Sequence, residues 1–225
     1  MTLKSIQPLP EPSGREALEA RSRRFCALSA QHHTMLKRFV SPLQAREHSR
    51  RLAGLRPGLW RGNPSQQALV AELTAWTTAK GQTPLERYAR QAKLLDGSEE
   101  AAVLAGMQGS VLSFWRVSEP HPVAGWILED LAWNGTVWMV DERLEQYLAA
   151  GGSRCFMSRL FRSEPNQFWM SCSSIVPVPK AVAEMMAGQE GEEAGKVSGS
   201  TEHANLSRHS TYATMLYASV LMATR

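Results

Sequence analysis

The chain has 225 residues, 43% of them hydrophobic, with 25 Lys and Arg against 21 Asp and Glu and a net charge of +4. That is enough apolar material for one large or two small packed domains. The longest apolar run, 13 residues over 212–224, is shorter than the about 20 helical residues needed to span a bilayer, and Cys26, Cys155 and Cys172 are odd in number and lack CxxC spacing, which argues against a disulfide framework or a zinc knuckle.

The first residues, MTLKSIQPLPEPSG, place prolines and an acid where a secretory leader needs an unbroken apolar core. A cytoplasmic protein without membrane attachment is therefore expected, with residues 1–12 as an extended lead. Four segments then open with a capping side chain followed three residues later by Glu or Gln: Ser13 with Glu16, Ser41 with Gln44, Asn63 with Gln66, and Thr83 with Glu86. In such a box the cap oxygen accepts from the N3 amide while the N3 side chain reaches back to the cap amide; Pro at N1 gives up a hydrogen that has no helical partner. Gly54, Gly81 and Gly97 are expected to close helices two, three and four as left-handed C′ residues.

Helix one carries Leu18, Phe25, Leu28, His32, Met35 and Phe39 as its apolar stripe, helix three carries Leu69, Leu73 and Trp76, and helix four Leu85, Tyr88, Ala92 and Leu95. Helix two, over 42–53, offers only Leu43 and Leu52 beside Arg46, His48, Arg50 and Arg51 and reads as solvated. A fifth helix over 99–107 is capped by Ser98. Residues 13–108 thus read as a helical domain.

From Ser110 the period changes to that of strands. Runs over 111–117, 125–131, 136–141, 155–162 and 167–176 are rich in Trp, Phe, Val and Ile and separated by Pro, Gly and Asn. Asn134-Gly135 between two of them predicts a type I′ hairpin. A four-residue turn at 163–166 would pair Arg162 with Gln167 and set Cys155, Met157 and Phe161 on one interior face with Phe168, Met170 and Cys172. A short helix, ERLEQYLA, closed by glycine, separates strands three and four. Three strands, a helix and two strands over 109–178 predict a small five-stranded antiparallel barrel-like module, OB-like or equally SH3-like. Residues 179–225 complete an α+β chain: a helix over 180–187, a polar linker over 188–201, and a C-terminal amphipathic helix with Leu206, Tyr212, Met215, Leu216 and Val220 on one stripe.

No catalytic or metal-ligating motif emerges, and no cofactor is implied. His32 and His33 are adjacent, so they cannot face one ion from one helix; His32 reads as a core histidine and His33 as exposed. Glu129 and Asp130 point to opposite faces of a strand, and pairing with Arg116 and Arg143 suits this acidic group better than acid–base work. The cysteines read as packed thiols. Trp115, Trp126, Trp133, Trp138 and Trp169 are more than so small a barrel buries alone, and cover by the helices is expected.

The remaining signal is charge. Up to Arg61 there are 12 Lys and Arg against 4 Asp and Glu, and beyond it 13 against 17. Arg21, Arg23, Arg24, Lys37, Arg38, Arg46, Arg50, Arg51, Arg56 and Arg61 are nine arginines and a lysine, and the arginine fork matches phosphate. A solvated basic face is the plain alternative. The reading preferred is a non-enzymatic protein that contacts nucleic acid through this N-terminal surface. An adaptor that uses the β-module and the C-terminal helix for a protein partner or self-association comes second, and an enzyme with a site at the helix–barrel junction third.

Overall fold

Two of the four capping boxes form in full. Asn63 Oδ1 accepts from the Gln66 amide at 2.9 Å and Gln66 Oε1 reaches the Asn63 amide at 3.4 Å, opening α3 (Pro64–Trp76). Thr83 and Glu86 do the same for α4 (Pro84–Gln91), at 3.1 and 2.8 Å. At α2 (Pro42–Leu55) only the Ser41 arm is made, at 3.4 Å. At α1 (Arg15–Leu36) the N-cap is Gly14, with no side-chain bond, and Ser13 lies outside the described residues. Ser98 caps α5 (Glu99–Gln108) through the Ala101 amide at 3.2 Å. These facts come from a computed structural model that describes residues 14–55, 63–78, 81–162, 167–187 and 213.

Helix ends depart from the glycine expectation. α2 continues through Gly54 to Leu55. α3 stops at Trp76 because Thr77 turns extended, its hydroxyl and amide both tied to the Leu73 carbonyl, and α4 stops at Ala92, also extended. Gly81 and Gly97 have positive φ but lie five residues past Trp76 and six past Gln91, in turns that lead into the next helix.

The sheet follows as β1 (Val111–Pro120), β2 (Trp126–Asp130), β3 (Gly135–Met139), α6 (Glu142–Ala149), β4 (Cys155–Arg162), β5 (Trp169–Ser171), β6 (Val176–Pro177) and α7 (Lys180–Ala187). Its order is β1-β2-β3-β5-β4, and β1 also pairs with β4, so five strands close into a barrel while β6 extends β4. All pairings are antiparallel except β3 with β5, where Met139 meets Trp169 in parallel. β1 pairs with β4 along Val111–Arg116 and with β2 from Trp115 to Pro120, and its register against β2 shifts between Val117 and Glu119; a bulge bends the strand and increases its twist. At the start of β2, Gly125 has φ 72, and a Cβ there would lie 2.1 Å from the Met139 carbonyl oxygen, so only glycine admits this approach of β2 to the end of β3.

Two turns differ from expectation. Asp130 pairs with Gly135, leaving a four-residue loop in which Asn134 alone has positive φ, at 51. The reason is Asp130, whose Oδ1 accepts from the Ala132 and Trp133 amides at 3.0 and 3.2 Å and winds the chain one residue at a time. At the other hairpin Arg162 pairs with Trp169, not Gln167, and Phe161 with Met170; residues 163–166 lie outside the described set.

The pleat sorts side chains into an inside and an outside. Val111, Trp115, Leu128, Met139, Phe156 and Leu160 fill the barrel, with Leu144 of α6 against them. Met157, Phe161, Met170 and Cys172 point outward and are buried beneath helices instead. Leu112, Phe114 and Met157 pack against Leu52, Leu69, Leu73 and Val182, and Phe161, Phe168, Met170 and Cys172 against Phe25, Leu104 and Met107. Ala213, the one described residue of the expected C-terminal helix, is helical and fully buried in the cluster with Leu52 and Leu73; Leu206, Tyr212, Met215, Leu216, Val220 and the linker over 188–201 lie outside the described residues. On α1 the buried stripe uses Leu36 where Met35 was expected, and Met35 is 41% exposed. Leu95 lies past the end of α4 and is 79% exposed. Trp115 is buried in the barrel and the other four tryptophans of the module are half-buried.

Among the outward residues of β4 is Arg159, 1% exposed, its Nε 3.3 Å from Glu72 Oε1 of α3 and its guanidinium 5.6 Å from the Trp76 ring. Removing one member of a buried pair leaves an uncompensated charge, which costs about 3–5 kcal/mol, whereas apolar replacement of both is often close to neutral. Urea denaturation should therefore show Glu72→Leu and Arg159→Met each destabilised by that order and the double variant closer to the wild type than either.

Candidate nucleic-acid interface

Of the ten cationic residues singled out, eight are described. Arg23, Lys37, Arg38, Arg46 and Arg50 are exposed and have no carboxylate partner among the described residues. Arg24 pairs with Glu99 and Arg51 with Glu47. Arg21 lies against the helix with its guanidinium 5.5 Å from the Phe25 ring, and its Nε and one terminal nitrogen are buried without a hydrogen-bond partner among the described residues. Arg56 and Arg61 are outside the described residues.

Helix geometry divides the five exposed cations into groups. Arg46 and Arg50 are one turn apart on the face of α2 opposite Leu52 and form a single basic strip. Arg23 lies mid-way along α1, about 20 Å from Lys37 at a 1.5 Å rise per residue. Lys37 and Arg38, in the 3-10 turn Lys37–Phe39 that follows α1, line different grooves. His32, His33 and His48 add no charge near neutral pH, because burial pushes the pKa of each below its ordinary value of 6.5. His48, counted with the solvated face of α2, is buried beside Leu52.

Lys37 lines a groove of about 210 Å³ with Leu36, Ala71 and Trp76, and two wider grooves flank α1. The larger, about 740 Å³, lies between the end of α1, α4 and the segment after it, and Lys37's neighbour Arg38 lines it together with Lys93. On its floor Tyr88 Oη and His32 Nδ1 are 2.7 Å apart, and His32 Nε2 lies 2.9 Å from the Glu100 carbonyl, which makes His32 the core histidine its spacing predicts. On the other side His33, Arg143 and Tyr147 line a groove of about 390 Å³ at the helix–barrel junction. His33 is half-buried rather than exposed, its Nε2 2.6 Å from the Cys172 carbonyl oxygen. Arg143 donates to Asp141 at 3.2 Å and to the Ser171 carbonyl, so both polar groups here are engaged in holding α1 and α6 to β5. Cys26 and Cys172 lie beside this groove, and burial pushes their thiols up to about 11 and about 12, the protonated, unreactive form. Among the described residues no three His, Cys, Asp or Glu side chains come together, and no helix there is long and apolar enough to cross a membrane.

On the barrel, Glu129 pairs with Arg116 as expected, and Asp130 turns inward to accept from Ser113. Beside them the outward face of β2 and β3 carries Trp138, whose ring stacks on His121 at 4.0 Å and 20° and donates to the Ala124 carbonyl at 2.7 Å. Val123, in the same β1–β2 loop, is 43% exposed. Lys93 and His121 escaped the sequence reading, which places Phe39 only in an apolar stripe. Each meets a partner well separated in sequence, Arg38 for Lys93, Tyr88 for Phe39 and Trp138 for His121, and no local spacing announces those meetings.

No protein-family model, curated protein or solved structure matches the chain.

Burial raises the Asp130 carboxyl from its ordinary 3.8 to about 6, against the lowering effect of its bonds from Ser113, Ala132 and Trp133. The native state therefore holds this proton more tightly than the unfolded chain, so the contribution to stability is full below pH 3.8 and is lost as pH rises through about 6. In denaturation series at successive pH values, Asp130→Asn should gain on the wild type by up to about 3 kcal/mol between pH 4 and 7.

Proposed function

We propose that this is a non-enzymatic binding protein that contacts nucleic acid through the basic surface of its N-terminal helices, with an OB-type barrel as the scaffold behind them. The observation that carries the reading is the set of five exposed cations without a carboxylate partner among the described residues, Arg23, Lys37, Arg38, Arg46 and Arg50. Among the described residues none of them has an ion pair to give up on meeting a phosphate, and released counterions then favour the complex. Three strands, a helix and two strands closed into a five-stranded barrel, as OB-type barrels have, lend support by analogy of fold. A helical surface built on a rigid barrel suits contact with a backbone more than readout of bases, because the five cations are divided among α1, the turn after it and α2 and no single helix carries them all into a groove.

The adaptor reading draws on a different feature, the half-buried Trp138 with its stacked His121 and the exposed Val123 on the β2–β3 side. An aromatic with one polar end is a common anchor for a protein partner.

Fluorescence anisotropy with a labelled single-stranded oligonucleotide separates the two. With five phosphate contacts, affinity should fall on the order of a hundredfold between about 50 and about 200 mM salt, and Arg46→Glu with Arg50→Glu should weaken binding and flatten that dependence. Affinity that ignores both salt and the charge reversal would overturn the proposal.

A further inference from the structure

We propose that the groove between the end of α1 and α4 is a site for one nucleotide unit, with a planar base against Phe39 and Met35 and its phosphate held by Arg38 and Lys93. The groove is about 740 Å³, within the roughly 300–1,000 Å³ range of small-ligand sites. Its wall is apolar and partly open: Phe39 is half-buried and Met35 is 41% exposed. Such a surface is what a stacked base needs, and stacking on an aromatic contributes about 1–3 kcal/mol per base. Arg38 and Lys93 line the same groove, both exposed and without an ion pair among the described residues. Gln31 and Gln91 line it too, and an amide, donor and acceptor at once, complements the edge of a base.

The wall is held in place before any ligand arrives. The Phe39 ring packs 5.5 Å from Tyr88, Tyr88 is fixed by His32, and Arg87 donates to the Phe39 carbonyl at 2.9 Å and to the Gln82 carbonyl at 3.0 Å. A pre-formed surface avoids the cost of ordering side chains on binding. Among the described residues Glu100 is the one carboxylate that lines the groove, against two cations, so the local charge favours an anion. An acidic peptide would satisfy Arg38 and Lys93 but leave the Phe39–Met35 wall without a planar partner, which is why the nucleotide is the better fit.

The inference goes beyond the helical phosphate contact, because a nucleotide unit comes either free or as part of a strand. The test uses the full chain with two probes, adenosine 5′-monophosphate by calorimetry and a labelled single-stranded oligonucleotide of about ten nucleotides by anisotropy. For at least one probe, Arg38→Glu with Lys93→Glu should lower affinity at least about tenfold, Phe39→Ala should do the same, and Phe39→Trp should retain it. Loss of the monophosphate alone identifies a free nucleotide as the ligand, and loss of the oligonucleotide identifies a strand; both support the site. Circular dichroism and melting of each variant guard against unfolding, and the exposed cation pair tests the site even where Phe39→Ala fails to fold. If the oligonucleotide binds and Arg46→Glu with Arg50→Glu weakens it while the groove variants weaken binding of neither probe, the groove is wrong and the helical reading stands. Wild-type affinity for both probes in every groove variant, failure of both to bind, or equal displacement by poly-glutamate would each overturn the proposal.

Discussion

The pairing of β1 with β4 is the contact on which the remainder of the molecule rests. Six successive residues of β1, Val111–Arg116, face Leu160 back to Cys155, and this one ladder turns a five-stranded sheet into a barrel. Closure removes two edges that would otherwise present unpaired amides and carbonyls. It also decides which side chains are inside. Val111, Trp115, Phe156 and Leu160 meet within the barrel, while Leu112, Phe114 and Met157 are left on the outside with nowhere to go but under helices. The helices are thus needed by the barrel as much as they need it: α2, α3 and α7 cover one outward patch and α1, α4 and α5 another.

Charge follows the same division. Arg159 and the exposed arginines of α1 and α2 are the same residue type, yet Arg159 occupies an outward position of β4 that α3 covers, and it is tolerated there because Glu72 comes with the covering helix. Where no element covers the helix face, as at Arg46 and Arg50, the guanidinium stays in water and is available to an anion from outside. Desolvation therefore separates arginines that serve the fold from those left in water. It acts on histidine too, since packing makes His32, His33 and His48 neutral members of the core or its border and leaves the basic surface to arginine and lysine.

α1 stands between the two candidate surfaces. Ser22 donates to the Val140 carbonyl at 2.6 Å and His33 approaches the Cys172 carbonyl at 2.6 Å, so the helix is fastened to the ends of β3 and β5 along one side. Its last turn and the 3-10 turn after it are left to form the wall of the groove with α4. Fixing the helix along one side, up to His33 in its last turn, and presenting the other side of its end gives that groove a stiff margin without closing it.

Much of the architecture could be read from residue order, and particular residues show why. Asn63, Thr83 and Ser98 announced their helices because a cap is a matter of neighbours three positions apart, and the change from helical to alternating period at Ser110 was likewise local. Gly54, Gly81 and Gly97 misled because a helix end is set by whichever residue first finds a better partner, as Thr77 does with Leu73. The Arg162 register and the Asn134-Gly135 turn were displaced by contacts elsewhere, Trp169 across the sheet and the Asp130 carboxylate within the loop. By itself the sequence determined the elements, their order and the basic bias of the first 61 residues. Which arginines are buried, which side of each strand faces a helix, and that Phe39 and Lys93 share one groove were decided only in three dimensions, because desolvation and pairing depend on what chain returns to that place and not on what lies beside it in sequence.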